Sequence, residues 1–116
     1  MVPGIAIRQL PAMAQPVREP RLYIIVRRDL PRSVQAVQAA HVAVAYTLYF
    51  HPRLASWGSD GPTISMLGVE DQPALEAWSL KLRPSIMFHE PDLGNAPTAI
   101  AFYGTTVHGL DTLRLL

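Results

Sequence analysis

Leu22-Tyr23-Ile24-Ile25-Val26 is an unbroken run of β-branched, aromatic and aliphatic residues, the pattern of a strand buried on both faces. A polar turn, residues 27 to 32, follows, and Ser33 is placed to cap a helix that runs to about Phe50 and is closed by His51-Pro52. At 100° per residue Val34, Val37, Gln38, His41, Ala45 and Leu48 share one face, the side expected to meet the core. Ala36, Ala39, Ala43, Tyr46 and Phe50 make the opposite side apolar too. Such a helix must be covered on two sides.

Trp57 to Pro62 reads as a loop, and Thr63 to Leu67 as a second strand. Asp71 can cap a helix from Gln72 to about Leu82, with Pro73 in its first turn and Leu75, Trp78 and Leu82 facing inward. Ile86 to Phe88 and Thr98 to Tyr103 read as third and fourth strands. The order βαβαββ predicts an α/β fold: a mixed four-stranded sheet with flanking helices, parallel where a helix crosses over and antiparallel where a loop joins strands directly.

Four of the eleven prolines fall in residues 1 to 20, so this stretch is expected to be a flexible tail and residues 21 to 116 the domain. Only 16% of residues are charged, below the roughly 25% usual for globular chains, and a homodimer is the expected way to hide the surplus apolar surface. There is no cysteine, which removes disulfides and thiolate chemistry. No apolar run reaches the roughly 20 residues that span a bilayer, and no signal peptide is read in the first residues, so a cytoplasmic protein with no membrane partner is expected. Net charge is only +1, but residues 1 to 32 carry six arginines against two acids. A local anion site is therefore affordable.

In open α/β sheets ligands gather beyond the carboxyl ends of parallel strands, which directs attention to residues 27 to 32 and 90 to 97. Arg27, Arg28 and Arg32, with Asp29 among them, could hold a phosphate or carboxylate, or stand solvated and paired to acids. Gln38 and His41 lie one helical turn apart, and polar groups facing a core must be paired. His41 is expected to bond a backbone carbonyl and tie helix to strand, while Gln38, nearer the arginines, is the better functional candidate. Asp92 could orient or deprotonate a water, and Thr98 could turn its hydroxyl into the same cleft. His89-Glu90-Pro91-Asp92 matches no metal-ligand spacing, so neither metal nor cofactor is expected.

The segments Val26-Arg27-Arg28-Asp29-Leu30, Gln38-Ala39-Ala40-His41, Asp92-Leu93-Gly94, Thr98-Ala99-Ile100-Ala101 and Leu113 to Leu116, in this order, resemble the type 2 peptidyl-tRNA hydrolases from about residue 21 onward. The resemblance implies their α/β fold, dimerisation, tRNA or another anionic ligand as partner, and hydrolysis of the ester joining peptide to tRNA. It implies Gln38, Asp92 and Thr98 as catalytic residues and Arg27, Arg28, Asp29, Arg32 and His41 as substrate contacts. The sequence departs from the family where Ser33-Val34 replaces a Gly-Lys whose lysine belongs to the catalytic set, and where Asn95-Ala96-Pro97 replaces an arginine- and threonine-bearing loop. Two function classes follow: a divergent ester hydrolase, or an inactive binding module on the same scaffold.

Overall fold

The computed structural model describes residues 20–54, 63–105 and 109–116. Nearly all of the proline-rich tail and the loop from Trp57 to Pro62 lie outside the described residues. The elements are β1 (Arg21–Arg27), α1 (Arg32–Leu54), β2 (Ile64–Val69), α2 (Gln72–Lys81), β3 (Ile86–Glu90), β4 (Ala96–Gly104) and β5 (Arg114–Leu115). They form one sheet in the order β3-β4-β1-β2-β5. β1 and β2 are parallel, β4 runs antiparallel to both β1 and β3, and β5 runs antiparallel to β2.

The mixed sheet with flanking helices is as the sequence predicts, but it has five strands rather than four. After a 3-10 turn at Leu110–Thr112 the chain lays Arg114 and Leu115 beside Gly68 and Leu67. Two residues are too few to show alternation. The chain steps one way across the sheet from β1 to β2 and back from β2 to β3. Crossovers of one hand in opposite directions fall on opposite faces, and the two helices do so here.

Alternation along β1 divides the core. Leu22, Ile24 and Val26 meet Ala39, Val42 and Tyr46 of α1, with Ala99 and Ala101 of β4. Tyr23 and Ile25 meet Leu75 and Leu82 on the α2 side, with Leu67, Val69, Ile100 and Phe102. β1 is thus buried on both faces, as its unbroken apolar run requires. At α2 the Asp71 carboxylate accepts from the Ala74 N–H at 3.1 Å, and a proline occupies the first turn, the cap read from the sequence.

α1 differs from expectation at both ends and in orientation. It starts at Arg32, with the Gln35 N–H donating to the Pro31 carbonyl at 2.9 Å, so Ser33 lies in the first turn rather than at the cap. Phe50 has non-helical angles (φ −119°, ψ 25°), and beyond this kink the helix resumes to Leu54; the break lets it pass Pro52, which cannot continue an intact helix. The inner face is Gln38, Ala39, Val42 and Tyr46, while Val37, His41, Val44 and Leu48 face outward. Periodicity cannot choose between two apolar faces. Ala39 allows close approach to the sheet, and the fully buried Tyr46 hydroxyl accepts the Tyr103 N–H at 3.1 Å. Among the described residues no helix is long and apolar enough to cross a membrane.

Candidate functional site

The site is built where β1 and β3 end and β4 begins. Residues with even numbers in β3, Ile86 and Phe88, pack toward α1, and Glu90 continues that row by strand alternation. β4 should present Thr98 to the other face, since Ile100 and Phe102 pack on the α2 side. A register shift intervenes: Phe88 pairs with Ala99 but His89 pairs with Pro97, leaving Thr98 as the extra residue of a bulge. Bulges re-aim side chains. Here the Thr98 hydroxyl turns to the α1 side and donates to Gln38 Oε1 at 2.6 Å, with Phe88 O at 3.4 Å.

Gln38 passes the contact on. Its Nε2 donates to Glu90 Oε1 at 2.9 Å, and Glu90 Oε2 accepts the Asp92 N–H at 3.1 Å. Thr98 is fully buried and Gln38 is 2% exposed, and the Thr98 hydroxyl and both polar atoms of the Gln38 amide have partners. The amide of Gln38, then the Asp92 N–H, hold the Glu90 carboxyl below the ordinary glutamate value, with a smaller contribution from His41. Glu90 is therefore ionised throughout the neutral range. Beyond it, Pro91–Leu93 form a 3-10 turn that reverses through left-handed Gly94 and Asn95 (φ 64° and 62°). Gly94 suits that conformation and asparagine tolerates it.

Over this chain lies a cleft of about 310 Å³ lined by Ser33, Val34, Val37, Gln38, Glu90, Asp92 and Leu93. Val34, standing where the resembling family has lysine, does face it. The lining holds two carboxylates and no cation. Thr98, expected in contact with substrate, is sealed beneath the cleft and reaches it only by its hydrogen bond to Gln38. Asp92 is exposed at the rim. Glu90 enters the sequence reading only in a segment without metal-ligand spacing, and its contact with Gln38 was not foreseen. The available signal was Gln38 itself, since a buried amide must find partners.

The arginines do not converge on one point. Arg27 forms a bidentate pair with Asp29, both contacts 2.9 Å, and also donates to the Pro97 carbonyl at 3.1 Å. The pairing raises the Arg27 pKa and lowers that of Asp29. With Asp29 40% exposed, such a pair adds at most about 1 kcal/mol. Arg28 turns the other way, across Gly68, and donates to the Leu115 carbonyl at 3.0 Å. Arg32 is exposed, and with Arg28 it lines a second cleft of about 590 Å³, beside Gln35, Ala36 and Met66. His41 is exposed rather than core-facing, and it ties α1 to β3 by stacking on Phe88 (4.6 Å between centroids, 5° between planes) instead of by a carbonyl hydrogen bond. The described residues hold no group of three His, Asp or Glu side chains arranged to bind a metal.

No protein-family model matches the chain, and no curated protein matches it.

Proposed function

We propose that this chain is a cytoplasmic ester hydrolase of the type 2 peptidyl-tRNA hydrolase kind, acting in the cleft above Gln38. What supports the reading is the hydrogen-bonded chain from Thr98 through Gln38 to Glu90, a buried polar network with one outlet, an ionised carboxylate at a cleft. Buried networks fix geometry when fully satisfied. Glu90 takes a proton from a water that attacks the carbonyl of the ester between peptide and ribose. The ester C–O bond breaks, and the proton passes to the departing ribose oxygen. Asp92 orients the water. Gln38 keeps one amide hydrogen beyond that given to Glu90, the donor left for the carbonyl oxygen.

The tRNA phosphates meet Arg28 and Arg32 in the cleft on the other flank of the first turn of α1, about one helix diameter, roughly 10 Å, away. The protein acts as a homodimer through the outward stripe of α1. No Asp, Glu, Lys or Arg occurs from Ser33 to Phe50, and Val37, Val44 and Leu48 are 50%, 60% and 76% exposed at the 4-3-4 spacing completed by His41, the seam of a helix pair. A twofold interface brings like residues together, and these apolar side chains meet their copies without repulsion. Leu48→Glu should convert a dimer to a monomer in light scattering; a wild-type monomer at micromolar concentration contradicts the assembly.

A second reading, a binding module without turnover, draws support from the absence of any cation in the Gln38 cleft. Hydrolysis of a peptidyl-tRNA by the wild-type protein and by Glu90→Gln separates the two. Turnover that is lost in the folded variant supports the enzyme. An inert wild-type protein that still retains tRNA supports the module.

A further inference from the structure

A third cavity lies beside this machinery and shares Arg28 with it. β1 is followed by a helix on one face and its parallel neighbour β2 by a helix on the other. Two adjacent parallel strands whose connections part in this way leave a crevice beyond their carboxyl ends, the general position of ligands in open α/β sheets. A cavity of about 540 Å³ opens there, inside the size range of small-molecule sites. Its apolar wall is Val69, Ala74, Trp78 and Leu113, and its charged rim includes Arg28, Arg114, Asp29 and Glu70.

The charges define what fits. Asp29 is neutralised by its bidentate contact with Arg27. The side chains of Arg114 and Glu70 have no hydrogen bond or ion pair among the described residues, and Arg28 uses one terminal nitrogen on the Leu115 carbonyl. Two arginines against one unpaired acid leave a single positive charge, which suits a monoanion better than a polyphosphate. Arg28 is also held in place. Its N–H donates to the Val69 carbonyl at 2.7 Å, and its stem crosses Gly68 so closely that a Cβ there would stand 2.6 Å from Arg28 Cγ. Only glycine leaves that path open.

We propose that the crevice between the carboxyl ends of β1 and β2 binds a small aromatic monocarboxylate, its ring against Trp78, Val69 and Leu113 and its carboxylate on Arg114 and Arg28. The guanidinium fork matches a carboxylate in two parallel hydrogen bonds, and the apolar wall takes the ring.

Phenylacetate is the probe. In full-length Trp57→Phe protein the emission of the remaining tryptophan, Trp78, should change saturably, with a dissociation constant on the order of 1 mM for a ligand of about ten heavy atoms. Arg114→Gln, at an exposed position of a two-residue edge strand, should weaken binding about tenfold, and the neutral analogue 2-phenylethanol should bind as weakly to the parent protein. Ala74→Phe, which fills the crevice, should abolish the response. No saturation in the parent protein by about ten times the expected constant overturns the site. Saturation that Arg114→Gln leaves unchanged, or that 2-phenylethanol equals, overturns the carboxylate.

Discussion

The two flanks of the first turn of α1 are opposite in charge. On the β3 side the cleft is lined by Glu90 and Asp92 with no cationic side chain; on the β2 side it is lined by Arg28 and Arg32 with no acidic side chain. One helical turn, uncharged after Arg32, keeps them apart. Under the proposed function the division separates two tasks that a single mixed cluster would confound. A carboxylate within reach of an arginine pairs with it, as Asp29 does with Arg27, and the two groups so paired offer neither a base nor an anchor. Kept apart, the acidic flank can hold a base and the basic flank can hold phosphate.

Breaking the division has graded effects. Val34→Lys puts a cation in the acidic cleft beside Glu90 and Asp92, where it can stabilise the developing oxyanion; such a contact is typically worth on the order of a hundredfold in rate. A folded variant no faster than wild type in peptidyl-tRNA hydrolysis would mean that the cleft does not hold the ester carbonyl. Thr98→Val removes the donor beneath Gln38 and leaves a buried amide oxygen unpaired, so urea unfolding should show a loss of about 1–3 kcal/mol. Arg32→Gln acts on the basic flank alone: tRNA affinity should fall severalfold and the salt dependence of binding should flatten by about one unit of log–log slope, with chemistry at saturation unchanged.

The smallest effect is on stability in acid. Asp29 and Glu90 are held below their ordinary values, so the unfolded chain binds more protons than the folded one as pH drops. Their contribution is complete above the ordinary carboxylate range and is lost as pH falls below about 4 and through the lowered values. In Glu90→Gln the acid-induced fall in melting temperature should be shallower than in wild type.

How much of this was legible in the sequence follows from how local each feature is. β1 and the Asp71 cap are set by five and four consecutive residues, and both read correctly. The inward face of α1 is not local, because both sides are apolar and the choice rests on Tyr46 reaching the backbone of β4, 57 residues away. The site is less local still. Gln38 and Glu90 stand 52 residues apart, Gln38 and Thr98 60 apart, and Thr98 turns toward Gln38 only through a bulge that alternation cannot foresee. The sequence does single out Gln38 as an amide near the start of a helix packed on a sheet, which must find partners, and the structure supplies Thr98 and Glu90. The contact of Arg28 with the Leu115 carbonyl was hidden because it depends on β5, a strand of two residues.

The role of Glu90 is tested most directly by the pH dependence of peptidyl-tRNA hydrolysis between pH 5 and 8, corrected for spontaneous hydrolysis. With the Gln38 amide and the Asp92 N–H holding it ionised, Glu90 is ready as a base across that whole interval. The rate should be flat with pH in the wild-type protein and close to background in Glu90→Gln. A rate that climbs with a midpoint near about 6.5, the ordinary histidine value, and persists in Glu90→Gln would assign the proton transfer to another group and contradict the proposed role of Glu90.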